Sequence, residues 1–142
     1  MEVVITVAIV ATLASVALPL SELAIQRNKE TELRRALRDI RDAIDSYKRA
    51  ADEGRIVRAA DDSGYPTTLD VLVQGVQDVK SASGKTLYFL RRIPRDPMQP
   101  AGDWGLRSYE STPTDPKPGK DVYDIYSLSE RKGLNGIVYR EW

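Results

Sequence analysis

The sequence predicts an α+β fold: one long N-terminal helix, apolar in its first half and amphipathic in its second, packed on a small C-terminal antiparallel sheet. Three observations carry that prediction. Val3 to Leu20 is an uncharged run in which Thr6, Thr12 and Ser15 are the only polar side chains. Further on, Leu33, Leu37, Ile40, Ile44, Tyr47 and Ala51 recur at steps of four and three, the period of one helix face. Beyond Thr86, short apolar runs alternate with stretches rich in Pro and Gly, which is the pattern of strands and turns.

With 142 residues the chain has the usual length of one domain. Its charges divide it. Residues 1–26 hold only Glu2 and Glu22, whereas 27–62 are dense in both signs. The two parts therefore belong in different surroundings: an apolar transmembrane or assembly helix over 1–26, and a globular domain over 27–142 that includes the amphipathic half of the helix to about residue 54.

The eighteen residues from Val3 to Leu20 span about 27 Å as a helix, close to the roughly 30 Å of a bilayer's hydrocarbon. Each hydroxyl in the run can bond back to its own helix. A cleaved secretory signal would carry Lys or Arg ahead of the run, and here Glu2 stands there instead. A signal anchor explains the length, but neither the carboxylate at one edge nor Pro19 at the other.

Proline in a helix interior removes one hydrogen bond and bends the rod. The helix is expected to continue past it, because Ser21 to Asp52 is rich in good helix formers and free of Gly and Pro. The face opposite the stripe offers Glu30/Arg34, Arg38/Asp42, Arg41/Asp45 and Asp45/Arg49 as i,i+4 pairs on a solvated surface. Gly54 is the natural stop. One rod of about fifty residues, near 75 Å long, results. A coiled coil over 33–51 would have fewer than three heptads, so a domain packed on Leu33, Leu37, Ile40, Ile44 and Tyr47 is the better account.

Arg55 to Gly64 reads as a polar loop. Tyr65 to Asp70 looks like a helix start, with Thr67 as cap, Asp70 favouring the N-terminus and Leu69, Leu72 and Val73 as a short apolar face that ends near Gly75. Lys80 to Lys85 is a loop, and Thr86 to Ile93 is either a strand or an extended segment. Pro94, Pro97 and Pro100 forbid regular structure. Gly102 and Gly105 are placed in a loop around Trp104. Strands are expected over Leu106 to Ser111, Val122 to Leu128 and Ile137 to Trp142, joined by the proline-rich 111–120 loop and a turn at Gly133 to Gly136. In the clearest strand, Val122, Asp124 and Tyr126 face one way and Tyr123, Ile125 and Ser127 the other. Short spacings argue for antiparallel pairing, and the helix stripe would cover the sheet's apolar face.

Composition excludes several chemistries. There is no Cys and no His, which removes Cys/His zinc sites, thiol nucleophiles, His-based triads and His-ligated haem. No Gly-rich phosphate loop opens a helix. With 21 basic and 21 acidic residues there is no electrostatic case for nucleic acid. Nothing convergent points to an enzyme.

Glu2, the apolar run and Pro19 together resemble the N-terminal segment of type IV pilins and type II secretion pseudopilins. Aligned to that pattern, Met1 falls just before the family's glutamate, and the sequence begins about three residues inside the processed N-terminus. Tyr65-Pro-Thr-Thr-Leu69, Ile93-Pro-Arg-Asp-Pro97 and Tyr123-Asp-Ile-Tyr-Ser-Leu128 are similar, in the same order, to landmarks of the major pseudopilin of type II secretion. Asp103 to Tyr109 and Tyr139 to Trp142 look like a pseudopilin-like subgroup.

The resemblance implies a pilin-like fold, a methylated and processed N-terminus, and a structural subunit of a helical filament that drives protein export across the outer membrane. The chain would sit as a single pass in the inner membrane with its domain in the periplasm, then enter a periplasmic or extracellular filament. The implied partners are like subunits, minor pseudopilins, a prepilin peptidase and an inner-membrane platform protein with its cytoplasmic assembly ATPase. Glu2 would pair with the N-terminal amine of a neighbouring subunit; position alone fits equally a carboxylate facing water at the lipid surface. Pro19 would be a kink, a point where the helix melts during assembly, or a simple bend at the membrane surface. Relatives bind calcium in the loop after the strand that matches Tyr123 to Leu128. Here that loop reads Ser129 to Gly136, and its weak candidates Leu128, Glu130 and Asn135 stand beside Arg131 and Lys132, so no calcium site of the usual kind is expected. A type IV pilus subunit for adhesion, motility or DNA uptake is one alternative. A membrane-anchored domain that never polymerises is another.

Overall fold

The computed structural model describes residues 2–142; the alignment of Met1 lies outside them. Helix α1 runs from Glu2 to Asp52, 51 residues that pass through Pro19 without interruption. At about 1.5 Å per residue it is roughly 76 Å long. It ends in two hydrogen bonds of a Schellman motif: Gly54 N–H donates to Ala51 O at 3.0 Å and Arg55 N–H to Ala50 O at 2.9 Å. The motif needs a left-handed residue, and Gly54 supplies it at φ 70°.

The domain is wrapped on the second half of α1. Leu33, Leu37, Ile40, Ile44, Tyr47 and Ala51 are all buried, and Ala36, Ala43 and Ala50 fill the gaps beside them. Against this face lie Leu72 of the short helix α2 (Asp70–Gln74), Val122, Ile125 of strand β4, and Tyr139. The Tyr47 ring meets Phe89 with centroids 5.4 Å apart.

Two antiparallel pairs make the sheet structure. Strand β1 (Val76–Gln77) pairs with β2 (Thr86–Leu87), Val76 opposite Leu87. Strand β3 (Trp104–Arg107) pairs with β4 (Asp124–Ser127), Trp104 opposite Ser127 and Arg107 opposite Asp124. Ile125 and Ser127 are buried while Asp124 and Tyr126 are half-exposed, the alternation of a strand with one face on a core.

Several sequence expectations are corrected. Thr67 does not cap α2; the residue before that helix is Leu69, itself in a helical conformation with no side-chain cap bond. Trp104 and Gly105 are strand, not loop, and β3 stops at Arg107 because Ser108 N–H leaves the ladder for Lys117 O at 2.8 Å. Residues Ile137 to Trp142 are not a strand. After a single bridge between Lys132 and Val138 the chain turns through a 3₁₀ turn, Tyr139–Glu141. In a strand Tyr139 and Trp142 would point to opposite faces, but a 3₁₀ turn puts residues three apart on one side. Their rings meet edge to face at 5.1 Å.

Gly105 shows why β3 contains a glycine. A Cβ there would strike the ring of Tyr126, its partner across the ladder. Gly105→Ala is expected to destabilise the domain by about 1–3 kcal/mol, since the ring must swing off the strand to make room. Thermal unfolding in detergent measures it; an unchanged midpoint would mean that the ring moves freely.

Candidate functional site

The first half of α1 is uncharged from Val3 to Leu20 and turns its hydroxyls back on its own backbone. Thr6 Oγ1 donates to Glu2 O at 3.0 Å, Thr12 Oγ1 to Ala8 O at 2.9 Å, and Ser15 Oγ to Thr12 O at 2.7 Å. All three hydroxyls of the Val3–Leu20 run are thus bonded back to their own helix. Over the same stretch Val3, Val4, Ile5, Val7, Ile9, Val10 and Leu13 are all more than half exposed. The segment is long and apolar enough to cross a membrane. Glu2 sits exposed in the first turn, where the helix dipole favours a carboxylate. Pro19 lies seventeen residues on, so the two are about 26 Å apart along the axis and do not form one site.

The second half carries polar anchors that hold the domain. Glu30 is buried, yet its Oε1 accepts the Tyr139 hydroxyl at 2.8 Å and the Leu134 N–H at 2.7 Å. Gln26 Nε2 donates to Tyr139 Oη at 2.9 Å and to Lys132 O at 3.4 Å. Burial raises the Tyr139 phenol above its ordinary value; the Gln26 hydrogen bond lowers it and the Glu30 carboxylate raises it again. The hydroxyl therefore stays a donor to Glu30. Further along the helix, Arg41 reaches Asp124 Oδ1 at 2.8 Å, Ile125 O at 3.3 Å and Trp142 O at 3.0 Å. Arg34 stands over the Trp142 ring, 4.3 Å from its centroid.

These contacts overturn the picture of a purely solvated charged face. Among the described residues, none of the four expected i,i+4 pairs forms an ion pair; those on α1 are Arg35–Asp39 and Lys48–Asp52. Glu30 and Arg41 have turned to the domain instead. A signal for Glu30 was present: it precedes Leu33 by three and so continues the buried stripe backwards, with Gln26 four earlier.

The three later motifs meet one another. Val122 N–H donates to Pro66 O at 2.8 Å, and Tyr65 packs against Tyr123 at 5.0 Å and Tyr109 at 5.7 Å. Asp96 is buried; its Oδ2 accepts the Ser127 hydroxyl at 2.6 Å and its Oδ1 the Met98 N–H at 2.8 Å. Trp104 Nε1 donates to Pro94 O at 2.7 Å, closing the proline-rich stretch on β3. This bonding fixes the loops around β3 and β4.

The loop after β4 is closed by protein groups. Asn135 Oδ1 accepts the Ile137 N–H at 3.0 Å, Gly133 N–H donates to Ile137 O at 2.8 Å, and Ser129 Oγ accepts the Arg131 N–H at 3.4 Å. Leu128 and Glu130 are exposed. Among the described residues no group of three or more Asp or Glu side chains is placed to hold a metal ion. One carboxylate beside two cations does not fit calcium, which takes six to eight oxygens.

At the far end of α1, Asp78 is held below the usual carboxylate range, first by its hydrogen bond from Arg55, then by the Lys80 N–H and nearby positive charge, against the opposing pull of burial. Arg55 gives it two bonds, at 2.7 and 3.1 Å. A carboxyl with a lowered folded value contributes stability that is present above its unfolded value, near 4, and is lost as pH falls through the folded one. Asp78→Asn is therefore expected to lower the unfolding midpoint at neutral pH. The gap from wild type should close on acidification below about pH 4, and a gap that stays constant with pH would refute this.

No family model, no curated protein and no solved structure matches this chain.

Proposed function

We propose that the chain is a structural subunit of a helical filament of the pilin and pseudopilin kind, most like the major pseudopilin of type II secretion. One observation carries the reading. A single unbroken helix has an apolar first half whose described side chains are exposed and a second half with one face buried under its own domain. Such a half requires cover from lipid before assembly and from neighbouring helices after it. A pilin-like domain on the outer face of the inner membrane is the arrangement that uses both. Like subunits and minor pseudopilins would surround it in the filament, and the peptidase, platform protein and ATPase would process and extrude it. A type IV pilus would use the same device. Electron microscopy of cells producing the protein from its full gene tests the reading: filaments carrying the chain are expected, and a protein that stays dispersed in the membrane under those conditions overturns it.

A specific observation favours one other reading, the anchored domain that never polymerises. Arg27, Lys29, Arg34, Arg35 and Arg38 follow the apolar run within about eighteen residues. Cations on that flank, counted alone, favour a domain kept on the cytoplasmic side, whereas a filament subunit requires the opposite. A reporter that is active only in one compartment, fused after Trp142, separates the two.

A further inference from the structure

The loop held by Gln26 and Glu30 is close to the apolar segment in space. Gln26 reaches Lys132 O, Glu30 takes the Leu134 N–H, and Arg131 lines a shallow depression with Glu22, Ile25 and Lys29. Helical rise places Gln26 about 9 Å and Glu30 about 15 Å beyond Leu20, or about 2 and 8 Å beyond Ile25. The polar layer of a bilayer is about 5–8 Å deep on each side of the hydrocarbon. With Leu20 at the hydrocarbon edge, this loop stands about 1–10 Å outside the polar layer, within about one Debye length of the headgroups.

Its chemistry suits that height. Arg27, Lys29, Arg131 and Lys132 are exposed in this tier, against the exposed acids Glu22 and Glu130; Glu30 is buried and bonded. The chain as a whole is neutral, so the excess is local. Leu134, 43% exposed, adds an apolar side chain at the tip.

We propose that Arg131 and Lys132, with Arg27 and Lys29 of α1, form a membrane-surface contact for the anionic headgroups of phospholipids in the leaflet that the helix leaves. The proposal rests on the apolar half lying in a bilayer. Basic side chains near a surface are drawn to anionic lipid over about one Debye length. Two of these cations lie on the helix and two on a loop bonded to it, so the contact would fix the domain against the membrane rather than leave it swinging on a stalk.

The chain has no cysteine, so Leu134→Cys gives one labelling position. Val57→Cys, beyond the other end of α1 at a residue 79% exposed, is the control. The full chain is reconstituted in phosphatidylcholine vesicles with or without about one-third phosphatidylglycerol, and quenching of a dye by acrylamide is measured. Quenching at position 134 is expected to fall about threefold in the anionic vesicles, to recover at high salt, and to be insensitive to lipid in the Arg131→Glu/Lys132→Glu variant. Position 57 should not respond. Equal quenching in both vesicles, or protection that survives charge reversal, overturns the contact. Flotation with the vesicles separates the two claims: a chain that floats with an unprotected loop loses only the contact, and one that does not float loses the membrane reading as well.

Discussion

Glu2→Ala is expected to abolish filaments while leaving membrane insertion and the folded domain unchanged. Glu2 is exposed in the first turn of α1, ahead of a run with no other charge until Glu22. If neighbouring helices cover that run, the carboxylate enters apolar surroundings, where a charge is tolerated only when paired. The neighbour's N-terminal amine is the proposed partner. Removing one member of a buried pair costs about 3–5 kcal/mol, two to four orders of magnitude in a contact repeated at every subunit. Glu2→Gln keeps the shape and drops the charge, so it should fail in the same way. Some 28 residues separate Glu2 from Glu30, the first buried anchor of the domain, and thermal unfolding should not change. Electron microscopy beside flotation and unfolding measures all three. Abundant filaments from Glu2→Ala would place the carboxylate in water at the lipid surface and remove its role in pairing.

The largest stability change is expected from Tyr139→Ala, a loss of about 4 kcal/mol or more. Tyr139 is fully buried, packs its ring on Trp142, and shares a hydrogen-bonded cluster with Glu30 and Gln26. Truncating a buried aromatic to alanine costs about 3–5 kcal/mol. It also leaves the buried Glu30 carboxylate without one of its two closest donors, which adds a desolvation penalty. Tyr139→Phe keeps the ring and loses only the hydroxyl, so about 1–2 kcal/mol is expected. Unfolding in detergent followed by Trp fluorescence should show both in that order. A Tyr139→Ala change no larger than that of exposed Tyr88→Ala would mean that the turn is not closed through this side chain. The sign of the pH effect follows from its raised value: the proton is held more tightly in the folded state. That contribution is full below the unfolded value of 10.0 and is lost as pH rises through the folded one. Wild type should therefore lose stability above about pH 10 more steeply than Tyr139→Phe.

The buried stripe was legible because a 3.6-residue period over nineteen positions is a statement about one face of a helix, and that face has to be covered. What the period could not show was the reach of polar side chains across the fold. Glu30 and Arg41 have neighbours of opposite charge at helical spacing, yet their partners Tyr139 and Asp124 lie 109 and 83 residues away. Local pairing on a wet surface is worth only tenths of a kcal/mol, so a distant partner in a drier place wins readily. Trp104-Gly105 read as loop because glycine weakens a strand; here the space left by its missing side chain is filled by Tyr126. The terminal run from Ile137 to Trp142 has the composition of a strand. Its conformation was decided by two aromatic rings that must face the same way. The two-residue pair Val76–Gln77 and Thr86–Leu87 is too short to leave any period at all.

The Schellman-capped, uninterrupted α1 makes azimuth a heritable quantity in this molecule. Each residue turns a helix by about 100°, so inserting one residue between Ile25 and Arg27 would carry the whole domain about a quarter-turn round the apolar half while lifting it only about 1.5 Å. Seven inserted residues would bring it back to within about 20° of its starting direction, roughly 10 Å higher. Single-residue insertions there should thus be far more disruptive than heptad ones wherever the direction faced by the domain matters. In that sense the helix acts as a keyed shaft, on which phase is set by residue count as strictly as length is.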